Sequence, residues 1–377
     1  MTETPLADRL ASGSRVSLLL RIKRKLWTLL ELCRFPAVFT ALADPLLGSF
    51  VGAVAISEKG YNWTDLVFSE EGWRHVVMVG APSFGAYLFG MVLNDLADRK
   101  RDAVIHPDRP LPTRRVHVAT AVALAIGFAL LALVASFFTT TGYAGIPLGM
   151  ASPTILFQTT LVAASALLVL IVAYTFCKRL GGPIGVAVAA ALMGSCRGLN
   201  VWLGASLAWS SNQFYIDPDR LDVPDPADPL AIICIAVGLA VYVAGVTVFA
   251  SAETTVGKRS PLIAGLVVAA FGLVTLIAAS LLLGTKASLD ATAMERFAKP
   301  IAALMFGAIA LRIGVVVIAA LRQPKPQTIG PAVGVMIRSI IPIDAAAAYC
   351  MTGSIAVAAM ILSLIIPAIL LRRIAIT

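Results

Sequence analysis

The chain has 377 residues, 59% of them hydrophobic and 14% charged, with a net charge of +9. Soluble domains carry about a quarter charged residues. A mean hydropathy of +0.88 therefore excludes a water-soluble globule, and the basic excess, confined to short loops between apolar runs, excludes a nucleic-acid surface.

In chain order, residues 1–33 read as a polar, basic cytoplasmic arm and 34–377 as one transmembrane domain. Apolar runs follow at Pro36–Ile56, Val76–Leu96, Val116–Phe138, Pro153–Phe176, Ile184–Leu207, Pro229–Ala250, Pro261–Leu283, Pro300–Leu321 and Ala345–Leu371. Each is about long enough to cross the hydrocarbon layer as a helix. Without water to satisfy the backbone, such runs must be helical. The expected fold is all-α, a polytopic bundle of about nine transmembrane helices. Residues 329–343 read as an interfacial or re-entrant segment. Five scattered cysteines, with no CxxC pair, read as packing residues.

Orientation follows from the loops. Arg21, Lys23, Arg24, Lys25 and Arg34 precede the first run, and Arg99 to Arg115 follow the second. Lys178–Arg179, Lys258–Arg259, Arg322 and Lys325 fall on the same side if the runs alternate, whereas the longest opposite loop is acidic. This asymmetry places the amino terminus and the Arg-rich loops in the cytoplasm, in keeping with a bacterial inner membrane. Arg372–Arg373 then fall on the wrong side, which points to one miscounted crossing near residues 329–343.

The sharpest chemical signal closes the second run: Asn94-Asp95-Leu96-Ala97-Asp98-Arg99-Lys100-Arg101-Asp102. If the helix continues, Asn94, Asp98 and Asp102 fall at i, i+4 and i+8, with Asp95 beside them, and their oxygens share a patch. Clustered carboxylates repel unless a cation joins them. Mg2+ suits hard oxygen ligands and completes its shell with phosphate oxygens. The next loop, His106-Pro107-Asp108-Arg109-Pro110-Leu111-Pro112, holds Arg109 in a stiff segment where a guanidinium can grip phosphate.

These stretches resemble the first signature of the UbiA superfamily of intramembrane prenyltransferases, an NDxxDxxxD motif followed by an RPLPSG-like loop. Arg34-Phe35-Pro36 and Arg197-Gly198-Leu199-Asn200 are similar to further elements of that family. The resemblance implies nine helices around a central cavity and transfer of an isoprenoid from a polyprenyl diphosphate to a lipophilic acceptor. It also implies catalytic Asp95, Asp98 and Asp102, and magnesium held by two Asp-rich motifs. The second motif departs from the pattern: Gly245 to Arg259 holds one acid, Glu253. In that respect the chain resembles the EboC-like branch. Glu253 is either a single metal ligand, with Lys258 or Arg259 supplying charge to phosphate, or an interfacial group. Arg197 and Asn200, one turn apart in mid-span, either face substrate or pair with another helix. The rival expectation is a non-catalytic or transport-related protein that binds a prenyl diphosphate or lipid precursor.

Overall fold

The computed structural model describes residues 20–56, 70–142, 156–212, 230–253, 259–283 and 297–371, and among these it contains helices and no strand. A helix over residues 20–32 leads into a 3-10 turn, Phe35–Ala37. Then come α1 (Val38–Ile56), α2 (Glu70–Ile105), α3 (Val118–Gly142), α4 (Leu156–Cys177) and α5 (Gly182–Asn212). After these follow α6 (Leu230–Ala250), α7 (Ser260–Leu283), α8 (Ala298–Arg322), α9 (Pro326–Arg338) and α10 (Ile340–Thr352). Two short helices close the described chain: α11 (Ile355–Ser363) and α12 (Ile365–Leu370).

Nine candidate spans emerge among the described residues, so the protein is an integral membrane protein. The spans expose apolar rows toward the bilayer. Ile263, Val267, Phe271 and Val274 form such a row along α7, as do Leu304, Leu311, Val315 and Ile318 along α8. Inside, α1 packs against α2, α5 and α10, and α6 packs against α5 and α7.

Small residues set the closest of these approaches. A Cβ on Gly204 would stand 1.9 Å from the Pro45 carbonyl oxygen, and one on Gly48 would stand 1.9 Å from that of Val201. Nothing larger than hydrogen fits at the α1–α5 crossing, where backbone meets backbone in the manner of close membrane-helix pairs.

The second helix is longer than its apolar run. Its 36 residues carry the helical register through Asn94, Asp98 and Asp102, as the acid spacing required. The end of the chain corrects the expected boundaries. Residues 326–352, not 345–371, form the ninth candidate span, so the segment 329–343 belongs to a buried crossing and is not interfacial. Pro342, in the first turn of α10, lacks the N–H that would continue the bonding of α9, and the axis breaks at Ser339. The crossing is anchored by Tyr242, whose hydroxyl donates to the Met336 carbonyl at 2.8 Å.

Gly353, with φ +68°, then closes α10 and reverses the chain. Cys350 lies beside Ser280 near the far end of α7, whereas Ile365 and Ile369 lie beside Arg34 and Pro36 at the entrance of α1. So α11 and α12 double back toward the amino-terminal face. Arg372 and Arg373 themselves lie outside the described residues.

Two outcomes follow from this packing. Gly204→Ala pushes the α1 and α5 backbones apart and lowers stability by about 1–3 kcal/mol, whereas Gly307→Ala, at a position with open space around it, does not; thermal unfolding in detergent compares them. A reporter fused after residue 377 registers on the same side of the membrane as one fused before residue 1. Opposite sides would contradict the doubled-back end.

Candidate active site

The site is built where three chain segments meet the end of α2. The first is the helix over 20–32 and the turn after it. Leu32 and Cys33 are buried against Leu88, Val92 and Leu111, so this segment is packed into the bundle from its last turn onward. Arg34 then adopts a left-handed backbone, φ 44°, which costs a non-glycine residue about 1–2 kcal/mol and marks a constrained position. Its guanidinium reaches Asp95 at 3.1 Å. Burial, with the Asp95 charge adding to it, pushes the Cys33 thiol up to about 11.

The second segment is the proline loop. Arg109 donates to the buried Asp102 at 2.6 Å. Arg115 forks onto Glu31 at 2.7 and 2.9 Å and also donates to the Asp108 carbonyl. That bidentate pair ties the loop to the amino-terminal helix and holds Arg109 in place. The Thr113 hydroxyl, donating to the Arg109 carbonyl at 2.7 Å, tightens the same turn.

The third segment is the end of α4. Lys178 donates to Asn94 Oδ1 and, at 2.5 Å, to Asp98 Oδ2, while Arg179 stands 3.4 Å from Asp98. The Lys178 ammonium also lies 5.9 Å from the Tyr174 ring centroid.

The four polar residues of the motif thus share one helix end, yet each carboxylate has its own cation. Among the described residues no group of three or more His, Cys, Asp or Glu is placed to hold a metal ion. The donor set nonetheless fits magnesium in kind. Asn94 and Asp98 offer two hard oxygens one turn apart, and the Lys178 ammonium they hold already occupies a cation position between them.

Behind this helix end lies a cavity of about 720 Å³. Asp95, Arg34, Arg109 and Glu31 line one part, and Arg312 and Arg338 another. The apolar lining includes Ile337, Ile341, Ile365 and Ile369. Sequence reasoning singled out Asp95 and Arg109 here. It missed Lys178, which looked like a topology-setting loop residue, and Arg338, which lay in a segment read as interfacial. The Tyr174-x-x-x-Lys178 spacing puts both residues on one helix face and was the available signal.

The other expected residues are elsewhere. Arg197 donates to the Thr40 carbonyl at 2.8 Å, to Asp44 at 2.9 Å and to the Thr40 hydroxyl at 2.9 Å. Asn200 donates to the Ala41 carbonyl at 2.7 Å and to Asp44 at 3.1 Å. Both therefore join α5 to α1, the pairing alternative, and neither lines the cavity. Asp344 on α10 adjoins Asp44 and is wholly buried. Glu253 stands beside Gly330 on α9, Arg259 is exposed at the start of α7, and neither lines the cavity. Lys258 lies outside the described residues.

The fold and site define a polytopic membrane protein with an acid- and arginine-lined chamber set among its helices. No family model matches the sequence, and no curated protein matches it. The fold is similar to the solved structure of a digeranylgeranylglyceryl phosphate synthase in membranes, with a TM-score of 0.51 and 16% identity, over 87% of this chain and 99% of that one.

Arg197→Met leaves Asp44 and Asp344 without their counter-charge inside the bundle. The expected cost is about 3–5 kcal/mol, read as a drop in unfolding temperature or in resistance to denaturing detergent. Asp44→Asn combined with Arg197→Met costs less than Arg197→Met alone. Equal stability of wild type and Arg197→Met would remove this pair from the framework.

Proposed function

We propose that the protein is a magnesium-dependent intramembrane prenyltransferase that moves an isoprenoid group from a polyprenyl diphosphate to a lipophilic acceptor. The observation that carries this reading is one chamber in which Asp95, Arg34 and Arg109 adjoin an apolar lining of Ile337, Ile341, Ile365 and Ile369. A prenyl diphosphate has the same two chemistries, a polyanionic head and an apolar tail. The likeness of fold to a digeranylgeranylglyceryl phosphate synthase, a UbiA-type prenyltransferase, supports the same reading. The Lys/Arg asymmetry of the loops assigns this end of the bundle to the cytoplasm.

In this reading the guanidinium groups of Arg34 and Arg109 bind diphosphate oxygens. Their pairs with Asp95 and Asp102 keep them oriented before substrate arrives, so little reorganisation is left for the reaction. Lys178 and Arg179 neutralise Asp98 and bring further positive charge to the same helix end. Magnesium, when bound by oxygens of Asn94, Asp95, Asp98 and Asp102, supplies Lewis-acid charge to the departing diphosphate. The allylic carbon–oxygen bond breaks with its electron pair leaving on diphosphate. The isoleucines of α9, α10 and α12 hold the tail and exclude water from the electron-poor carbon, which the acceptor's nucleophile then attacks.

The rival reading, a binder of prenyl diphosphate without turnover, is favoured by one feature: Glu253 does not line the chamber that Asp95 lines. Product formation separates the two. Purified wild type in lipid is expected to release diphosphate from a prenyl diphosphate in a magnesium-dependent manner, and Asp98→Ala to lose about 100-fold or more of that rate. Mass spectrometry of membrane lipids from cells expressing each form identifies the prenylated product. Binding with no release would favour the carrier, and full activity of Asp98→Ala would sink the enzymatic mechanism.

A further inference from the structure

Two acids and one base are enclosed where α1, α5 and α10 come together. Asp44 and Asp344 are fully buried, and the carboxyl of Asp344 lies within hydrogen-bond reach of Asp44. Arg197 is committed to α1: it donates to Asp44 Oδ2 and to both oxygens of Thr40. Asn200 brings a second donor to Asp44 Oδ2. Nothing among the described residues donates to Asp44 Oδ1 or to either oxygen of Asp344. Asp344 is the fifth residue of α10, past the open N–H groups of the first turn, so the helix end supplies it no donor.

No further charge corrects the imbalance. α7 and α11 pack against α10 and hold no titratable residue. α8 holds Lys299, Arg312 and Arg322, and α9 holds Arg338, yet the charges that bear on Asp344 are those of Asp44 and Arg197. Tyr87 of α2 adjoins Arg197. Two ionised carboxylates beside one guanidinium would leave a net negative charge away from water, and a buried acid so placed takes up a proton instead. A neutral carboxyl has an O–H to donate, and Asp44 Oδ1 is the oxygen of its neighbour still without a donor.

The pair lies one turn beyond the chamber lining. Thr40 and Ile341 line the chamber, and Asp44 and Asp344 follow them by four and three residues on the same helix faces. We infer that Asp44 and Asp344 share one proton, and that this proton seats α10, with the chamber wall it carries, on α1. Asp344 is a positioning residue. It does not itself line the chamber, and it acts on Ile341 and Pro342 through the docking of their helix. The inference holds whatever the chamber binds.

The test is infrared absorption of the full chain in detergent near neutral pH, where exposed carboxyls are ionised and a neutral carboxyl stands apart by its carbonyl stretch. Wild type minus Asp344→Asn is expected to show a neutral carboxyl lost and no carboxylate lost. Wild type minus Asp44→Asn is expected to show the same, because Asp344 then gives up its proton to become the partner of Arg197. The amide of Asp344→Asn donates where the O–H did, so that variant keeps the unfolding temperature of wild type, whereas Asp344→Leu unfolds at a lower one. Folding of wild type takes up a proton that folding of Asp344→Asn does not. Above the ordinary carboxyl range its folding equilibrium therefore falls, relative to that variant, about ten-fold per pH unit. Loss of a carboxylate band in Asp344→Asn would mean an ionised Asp344 and would overturn the shared proton. Parallel pH dependence of wild type and Asp344→Asn would do the same. So would an unfolding temperature that drops when choline replaces sodium in wild type but not in Asp344→Asn, since a metal ion would then bridge the two acids.

Discussion

A carboxylate taken from water to the edge of a bilayer has to meet a cation, and at the end of α2 three of them do so with three different parts of the chain. Asp95 takes Arg34 from the amino-terminal turn, Asp98 takes Lys178 and Arg179 from the end of α4, and Asp102 takes Arg109 from the proline loop. Because the partners are distant in sequence, these pairs fix the relative positions of α1, α2 and α4 at the mouth of the chamber. Glu31 with Arg115 adds a fourth tie, from the amino-terminal helix to the loop. The same pairing holds Arg34 and Arg109 at the lining of the chamber.

A deeper pair holds the walls apart from the mouth. Arg197 on α5 and Asp44 on α1 are buried at the crossing where Gly48 and Gly204 bring the two backbones together. The glycines allow the approach, and the ion pair with its Thr40, Ala41 and Asn200 partners leaves one arrangement of α1 against α5. Rigid positioning of α1 matters for the chamber, since Pro36, Ala37 and Thr40 form part of its lining. The structural charge of the crossing and the accessible charge of the chamber are therefore separated by Thr40, whose hydroxyl and carbonyl both accept from Arg197.

The chamber itself is assembled late in the chain. α9, α10 and α12 supply Gly334, Ile337, Arg338, Ile341, Ile365 and Ile369, so the apolar side depends on the break at Ser339 and the reversal at Gly353. A straight continuation past Gly353 would carry Ile365 and Ile369 away from Arg34. The doubled-back end also brings the last described helix beside Arg34 and Pro36 at the entrance of α1.

Composition and the repeated apolar runs by themselves determined the class, because a continuous apolar run of about 20 residues satisfies its own hydrogen bonds in hydrocarbon as a helix. The 3.6-residue period determined that Asn94, Asp98 and Asp102 share a face, and the helix runs through all three. What those acids touch was decided only in three dimensions, since each partner comes from a separate segment and pairing depends on where helix ends meet. Arg197 shows the same limit: a mid-span arginine reads identically whether it faces substrate or another helix, and its neighbour Asp44 lies 153 positions away in sequence. The final boundaries escaped for a different reason. Residues 355–370 are more uniformly apolar than 329–343, which carry Arg338, and only the turn geometry at Ser339 and Gly353 decides which of them crosses and which returns.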